Sequence, residues 1–362
     1  MFENSVFLGQ HRIRYLNEAE QYQIDAVLFF DRWNPSNEHR KNIPHKMDIK
    51  MQLYPLQIGR VVIKYLVYFK IKAIRRGKMY KIVEKKILNP TVTEMKIEAP
   101  LVAAKAEPGQ FIILRVDEEG ERIPLTVAGY DRTAGWVKII FQAVGSTTEK
   151  LAHLEAGEAI QDFAGPLGVP TELDGLSRVL IVGGGVGCAI ALPIAEKLHE
   201  MGAAVTSVIG FRSRELVILE DEFRAASDEL FVMTDDGSYG REGNVCVPIT
   251  ELFDSGEKFD KVITIGPLVM MKFVVAAVRP SGTPCDVSMN PIMIDGTGMC
   301  GGCRLTLVKD GKRVTKFACV DGPDFNGYEV DFDEAISRSN MYRDFERKKH
   351  EQTCNLFGKG AK

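Results

Sequence analysis

The sequence predicts a small antiparallel β-barrel followed by an α/β doubly wound sheet, with a small cysteine-bearing subdomain at the C-terminal end. Three observations predict it. Short strands rich in Ile and Val recur with turn residues between them from position 80 to 144. After Pro170 the pattern changes to apolar runs that alternate with helical periods. Three cysteines, Cys300, Cys303 and Cys319, then fall close together.

Composition narrows the classes. At 362 residues the chain is longer than one core usually organises. A net charge of -3 gives no case for nucleic acid as a partner. The longest apolar run, 61–69, is short and is broken by Lys64, so no membrane span is expected. The N-terminus carries no continuous apolar leader, so a cytoplasmic protein is expected. The seven cysteines are odd in number, which argues against a disulfide scaffold. Their clustering argues for a metal site in a reducing compartment.

Residues 1–78 stand apart as an atypical basic extension. They hold 14 Lys+Arg against 7 Asp+Glu and only 3 of the 33 glycines. Only 56–74 is apolar enough for a strand or short helix. Arg75, Arg76, Gly77 and Lys78 can be encoded by a purine-rich run of the kind that binds ribosomes just before a start codon. The expectation is that translation begins at Met79, with a basic docking arm or a small added domain as the alternatives. An intact mass matching all 362 residues would refute the late start.

From Met79 the strands expected are 80–88, 93–99, 111–116, 125–129 and 136–144, with Pro90, Pro108, Gly109, Gly120 and Gly135 as breaks. The barrel is placed at 79–173. A buried strand at 178–182 leads through a glycine loop to a helix at 187–201, ended by Gly202. Ile190, Ile194, Leu198 and Met201 are expected on its buried face. Further buried strands at 205–211, 230–234 and 262–266 complete a doubly wound unit at 174–283. The cysteine subdomain spans 284–337 with a hairpin at 304–317, and 338–362 is a charged tail.

Candidate sites follow from this layout. Gly183, Gly184, Gly185, Val186 and Gly187 join a strand to a helix, where phosphate can approach backbone N–H groups. The spacing is not a clean dinucleotide fingerprint, because Cys188 holds the sixth place; a purely structural turn is the alternative. Asp235, Asp236, Gly237 and Ser238, then Gly266 and Pro267, follow later strands at the edge where such sheets bind ligands. Ordinary turn chemistry is their bland reading. In the barrel, Arg122 can clamp a pyrophosphate, and Pro124, Leu125 and Thr126 continue its strand toward a flavin edge. Gly145, Ser146, Thr147 and Thr148 open a short helix that offers N–H groups and hydroxyls.

The cysteine loop is the sharpest signal. Cys300 and Cys303 form a CxxC among glycines, and Cys319 follows after the hairpin. Three thiolates on such loops suit iron–sulfur ligation. Asp295 stands where a plant-type cluster run would place its first Cys, so it is a candidate fourth ligand and a harder donor. Two alternatives stay open: zinc held by Cys285 with the other three cysteines, or Cys285 in place of Asp295 at an iron–sulfur site.

Taken together, the runs 122–126, 165–168, 183–187, 235–238, the 295–303 loop and 319–323 resemble the ferredoxin–NADP reductase superfamily in its iron–sulfur branch. The resemblance covers nearly everything from Met79 to Ser337. That branch includes the electron-transfer subunit of dihydroorotate dehydrogenase. It also includes the small subunits of NADH-dependent reduced ferredoxin:NADP oxidoreductases, which this chain resembles more. The resemblance implies FAD on Arg122 to Thr126 and Gly145 to Thr148. It implies NAD(H) on the Gly183 loop and Asp235 to Ser238, and a [2Fe–2S] cluster on Asp295, Cys300, Cys303 and Cys319. A larger flavin and iron–sulfur subunit is the implied partner, with ferredoxin reached through that complex. Dihydroorotate-type subunits have Cys at the position of Asp295, and this difference favours the bifurcating complex. Arg212 and Arg214 cut the other way on the nucleotide: they sit where an acid that holds ribose hydroxyls is expected, and could pair with the 2′-phosphate of NADP(H). A stand-alone ferredoxin or flavodoxin reductase needs no cluster, and a scaffold with a vestigial nucleotide site needs no intact glycine loop. Both are therefore disfavoured.

Overall fold

The computed structural model describes residues 79–341. The expected start at Met79, the possible arm at 1–78 and the tail beyond 341 lie outside the described residues.

The barrel consists of two antiparallel sheets. One has the order β5-β6-β2-β1-β7, formed by β1 (Tyr80–Ile87), β2 (Val92–Glu98), β5 (Gly129–Asp131), β6 (Trp136–Gln142) and β7 (Ala159–Ile160). The other has the order β4-β3-β8, formed by β3 (Phe111–Arg115), β4 (Arg122–Thr126) and β8 (Asp162–Leu167). Ile82, Met95, Ile97, Ile112, Leu114, Ile139 and Phe163 fill the space between them. Alternation drives this arrangement: along β2, residues 93, 95 and 97 face inward while the lysine and glutamates between them do not. Two short helices, α1 (Pro100–Ala103) and α2 (Ser146–Ala152), close its ends.

The expected strand at 125–129 is two strands, β4 and β5, joined by the buried Val127 and Ala128. Pro124 is tolerated because β4 is an edge strand, paired only with β3. The sequence reading did not contain β8, because Gly165 and Pro166 interrupt its pattern; it too is an edge strand.

The second unit is a seven-stranded sheet of order β12-β11-β10-β9-β13-β14-β17. Its strands are β9 (Arg178–Gly184), β10 (Ala204–Phe211), β11 (Glu229–Thr234), β12 (Arg241–Glu242), β13 (Lys261–Ile265), β14 (Cys285–Ser288) and β17 (Asp324–Asn326). All pairings are parallel except β14 with β17. Helices α3 (Cys188–Glu200), α4 (Glu220–Ala225), α5 (Cys246–Asp254) and α6 (Leu268–Val278) are its crossovers. Because β10 and β13 leave β9 on opposite sides, the turn after β9 is the topological switch point, where such sheets bind ligands. Helix α3 is buried more widely than its period suggested, and Met201 falls just past its end and is exposed.

The last part holds the hairpin β15 (Arg304–Lys309) and β16 (Lys312–Phe317), α7 (Ala318–Asp321) and α8 (Phe332–Ser339). It is not separate from the sheet. After α7 the chain returns as β17 and adds the final, antiparallel strand to β14. One hydrophobic cluster runs from Phe111 and Ile113 of the barrel through Leu180 and Val287 of the sheet to Cys303, Leu305 and Cys319.

Candidate functional site

A cavity of about 880 Å³ opens at the C-terminal edge of the parallel strands. Gly184, Gly185, Val186 and Gly187 line it, as do Arg212, Asp235, Gly266 and Pro267. The glycine loop is dictated by close approach: a Cβ on Gly187 would lie 2.5 Å from the carbonyl oxygen of Ile265. Gly185 has φ +55 and open space beyond it, so its backbone is free to face a ligand. Gly183 lies behind the loop, buried against Cys188. The structure therefore brings most of the nucleotide candidates to one cavity. Asp236 and Gly237 do not line it. Asp236 closes a local turn, and the Ser238 hydroxyl and N–H that it accepts hold its carboxyl below the usual carboxylate range.

The two arginines after β10 part company. Arg212 lines the cavity and has no hydrogen bond or ion pair from its side chain among the described residues. Arg214 stacks over the Tyr239 ring at 5.4 Å, with its N–H donating to the Ser238 hydroxyl. Other wall residues were invisible to motif reasoning, because the barrel and the last strands supply them: Asn89, Thr91, Gln142, Ser288 and Asn290. The Asn89-Pro90 turn was legible as a turn, but nothing in it signalled a wall.

The barrel candidates lie elsewhere. Arg122 begins β4, exposed and free of side-chain partners among the described residues. At the start of α2 a Cβ on Gly145 would meet nothing within 4 Å, so the N-terminal N–H groups face open space. Thr148 is used internally: its hydroxyl donates to the Gly145 carbonyl and accepts from the N–H groups of Val144 and Gly145. Ser146 and Thr147 keep their hydroxyls available. An open helix N-terminus and an unpaired guanidinium are each of a chemistry that suits phosphate.

The cysteine loop forms two pairs. Cys303 and Cys319, both buried, have sulfurs 3.2 Å apart. Burial, with the neighbouring Cys303, pushes the Cys319 thiol up to about 11. Asp295 accepts from the N–H groups of Thr297 at 2.8 Å and Cys300 at 3.1 Å. These bonds, the Thr297 N–H first, hold its carboxyl below the ordinary range. Cys300 is exposed, and its sulfur accepts from the Gly302 N–H at 3.5 Å. No group of three or more His, Cys, Asp or Glu side chains converges on one metal-sized point among the described residues. Two pairs, each of two donors, instead match the needs of a two-iron cluster better than those of a single zinc. Two buried thiols in contact are also a donor set that a cation would stabilise by displacing their protons. Cys285 takes no part in either pair. It sits on β14 with Asp286 and Arg279 as its charged neighbours, and burial pushes its thiol up to about 12.

The loop is seated on the barrel. Gly296 has φ +73, and a Cβ there would lie 2.7 Å from Leu167 and 2.9 Å from Ile113. The segment just past β8 meets the other end of the cysteine segment, where the Val169 N–H donates to the Gly322 carbonyl at 2.7 Å.

A barrel, a nucleotide-type sheet and a two-iron loop in one compact unit define an electron-transfer subunit of an oxidoreductase. Residues 290–331 match the family described as the iron–sulfur cluster binding domain of dihydroorotate dehydrogenase B. The chain is also 45% identical to the Thermotoga maritima protein named dihydroorotate dehydrogenase B (NAD+), electron transfer subunit homolog, over 76% of this chain and 96% of that one. It belongs to the family of dihydroorotate dehydrogenase B electron-transfer subunits. The Streptococcus pneumoniae member is 35% identical over 68% of this chain and 94% of its own. Among solved structures, a chain from the NADH-dependent reduced ferredoxin–NADP oxidoreductase, described in connection with flavin-based electron bifurcation, is 44% identical. It covers 76% of this chain and 98% of its own, with a TM-score of 0.71.

Proposed function

We propose that this chain is the electron-transfer flavoprotein subunit of a flavin-based bifurcating ferredoxin:NADP+ oxidoreductase, passing electrons between NAD(H), FAD and a [2Fe–2S] cluster. The observation that carries the reading is Asp295, held against the Cys300 backbone at the head of the cluster loop. The likeness to the solved ferredoxin–NADP oxidoreductase chain supports it. In this reading 79–173 serves FAD, 174–283 serves the nucleotide and 284–337 holds the cluster, in a cytoplasmic complex with a larger flavin and iron–sulfur subunit. That subunit would handle NADP(H) and ferredoxin.

Each residue then has a task. Arg122 neutralises the FAD pyrophosphate, and the N-terminal groups of Ser146 and Thr147 cap it. Pro124, Leu125 and Thr126 line the way to the flavin ring. Gly184 to Gly187 and Pro267 bring backbone close to the dinucleotide, while Arg212 and Asp235 face its ribose and phosphate groups. Asp295 and Cys300 form one donor pair, and Cys303 and Cys319 the other. Bound flavin supplies the conversion of two-electron hydride chemistry to single-electron steps. The exposed position of Cys300 turns that pair toward the surface where a partner would dock.

The test is spectroscopic. Iron and sulfide analysis with EPR of the purified protein should show one two-iron cluster, and Asp295→Ala should change its spectrum. An unaltered spectrum would remove Asp295 from the ligand set. The family's name favours a second reading, in which the partner oxidises dihydroorotate. Dihydroorotate-dependent flavin reduction in the assembled complex would establish that reading and refute the first.

A further inference from the structure

Asp324 opens β17 five residues beyond Cys319; the residue is half-buried, and its Oδ1 is shielded from solvent. One oxygen, Oδ2, accepts from the Thr171 hydroxyl at 2.5 Å, a contact that reaches from β17 to the segment leaving the barrel. Ser288, its cross-strand partner on β14, turns its hydroxyl to the same carboxyl. Ser288 is also a wall residue of the 880 Å³ cavity. The other oxygen, Oδ1, is buried with no hydrogen-bond partner. Two backbone bonds flank the carboxyl: Val169 N–H to the Gly322 carbonyl at 2.7 Å, and Met289 N–H to the Pro323 carbonyl at 2.9 Å. One carboxyl thus stands where the barrel, the cavity wall and the cysteine segment meet.

We propose that Asp324 is the positioning residue of this junction, holding the segment that carries Cys319 against both the barrel and the wall of the nucleotide cavity. It does so as a neutral acid. An ionised carboxylate with one oxygen unsatisfied and shielded from water would be costly, and a protonated one costs less. Lys261 does not neutralise it, because that ammonium pairs with Asp286 at 2.9 Å. The charged groups facing Asp324 are Asp286 of β14, which disfavours ionisation, and Lys261 of β13, which favours it; burial is the larger influence and holds the proton on. An acid whose folded pKa is raised contributes its stability below the unfolded carboxylate range and loses it as pH rises through the folded value. The junction is therefore tightest in acid and loosens progressively as pH rises above the ordinary carboxylate range.

The placement of Asp324 is independent of the function proposed above; only the consequence for the cluster rests on that reading. The experiment keeps the two apart. Hydrogen exchange of the Val169 and Met289 amides would be followed across pH in the full chain with its cofactors, for wild type, Asp324→Asn and Asp324→Val. Asn keeps the shape and the neutral state. The expected result is wild-type protection in Asp324→Asn and loss of protection at both amides in Asp324→Val. In wild type, protection should fall as pH rises above the ordinary carboxylate range, beyond the intrinsic rise in exchange, and this extra slope should vanish in Asp324→Asn. If Asp324→Val does not fold, Thr171→Val removes one partner and should weaken protection at Val169. The inference is overturned if Asp324→Asn loses protection as Val does, since charge would then matter. Wild-type protection in Asp324→Val, or in Thr171→Val, overturns it equally. The EPR spectrum of the reduced cluster, recorded on the same samples, reads the cluster separately.

Discussion

The proposed ligands and charges are single residues, and they differ in how far sequence reveals them. Cys300, Cys303 and Cys319 were legible because thiols at such spacing have few other uses. Asp295 was legible only by its place in the run, and the structure adds that two N–H groups hold its carboxylate in the ionised state a metal requires. Asp295→Cys should therefore still assemble a cluster but shift its reduction potential, read by EPR-monitored redox titration; an unchanged potential would deny Asp295 a ligand role. Arg212 and Arg214 read as a pair in the sequence, yet only Arg212 reaches the cavity, because Tyr239 holds Arg214 by stacking. A charge-assisted hydrogen bond is worth about 1.5–3 kcal/mol. Arg212→Ala should thus weaken the binding of its nucleotide about tenfold or more. Titrating flavin reduction with NADH and with NADPH shows which one loses. A loss confined to NADPH would mean that Arg212 reads a 2′-phosphate. Asp324 was not visible at all, because burial and an orphaned oxygen are properties of the fold and not of spacing.

At the scale of elements, the strands and the long helix could be read because their periods differ and because burial enforces them. The expected runs at 111–116, 205–211 and 262–266 correspond to β3, β10 and β13 within a residue or so. Among the strands that escaped are β8, whose Gly165 and Pro166 look like a turn, and β17, a three-residue strand that exists because β14 offers it a free edge. Tertiary context, not local pattern, makes both. The glycine loop shows the opposite case, a local signal with a tertiary cause. Gly187 lets α3 begin against the backbone of Ile265 and Gly266. Gly187→Ala forces a methyl into that contact, and overpacking of this kind costs about 1–3 kcal/mol. The variant should show a lowered melting temperature and a raised KM for the nucleotide, with the FAD spectrum kept because Arg122 and the start of α2 do not line the cavity that Gly187 lines. A variant with wild-type melting and KM would show that the loop relaxes freely.

The whole molecule is organised by shared cores, which decides what the loss of the cluster would do. The barrel has its own core. A second cluster joins Val92, Ala128 and Ile140 to the α3 side of the sheet, and a third ties the cysteine part to both units. Even with the thiols altered, Leu305, Leu307, Ala318, Phe325 and Phe332 keep that third cluster filled. Cys303→Ser should therefore lose the two-iron EPR signal while the flavin stays bound and is still reduced by NADH. Electron delivery to the larger partner should fail. Loss of flavin together with the cluster would show that the cysteine part supports the barrel more than its packing implies. The apoprotein carries a matching pH signature. The Cys319 thiol, held up to about 11 by burial and by Cys303, must lose its proton before it can bind iron. Metal uptake releases that proton, so reconstitution with ferrous iron and sulfide should be more complete in mildly alkaline than in neutral solution, and the assembled cluster should be lost first in acid. Cys303→Ala removes the neighbouring thiol and leaves burial as the main cause, so the remaining Cys319 should be alkylated at a lower pH than in wild-type apoprotein. The pH profile of alkylation measures this directly, and identical profiles would show that the two thiols act independently.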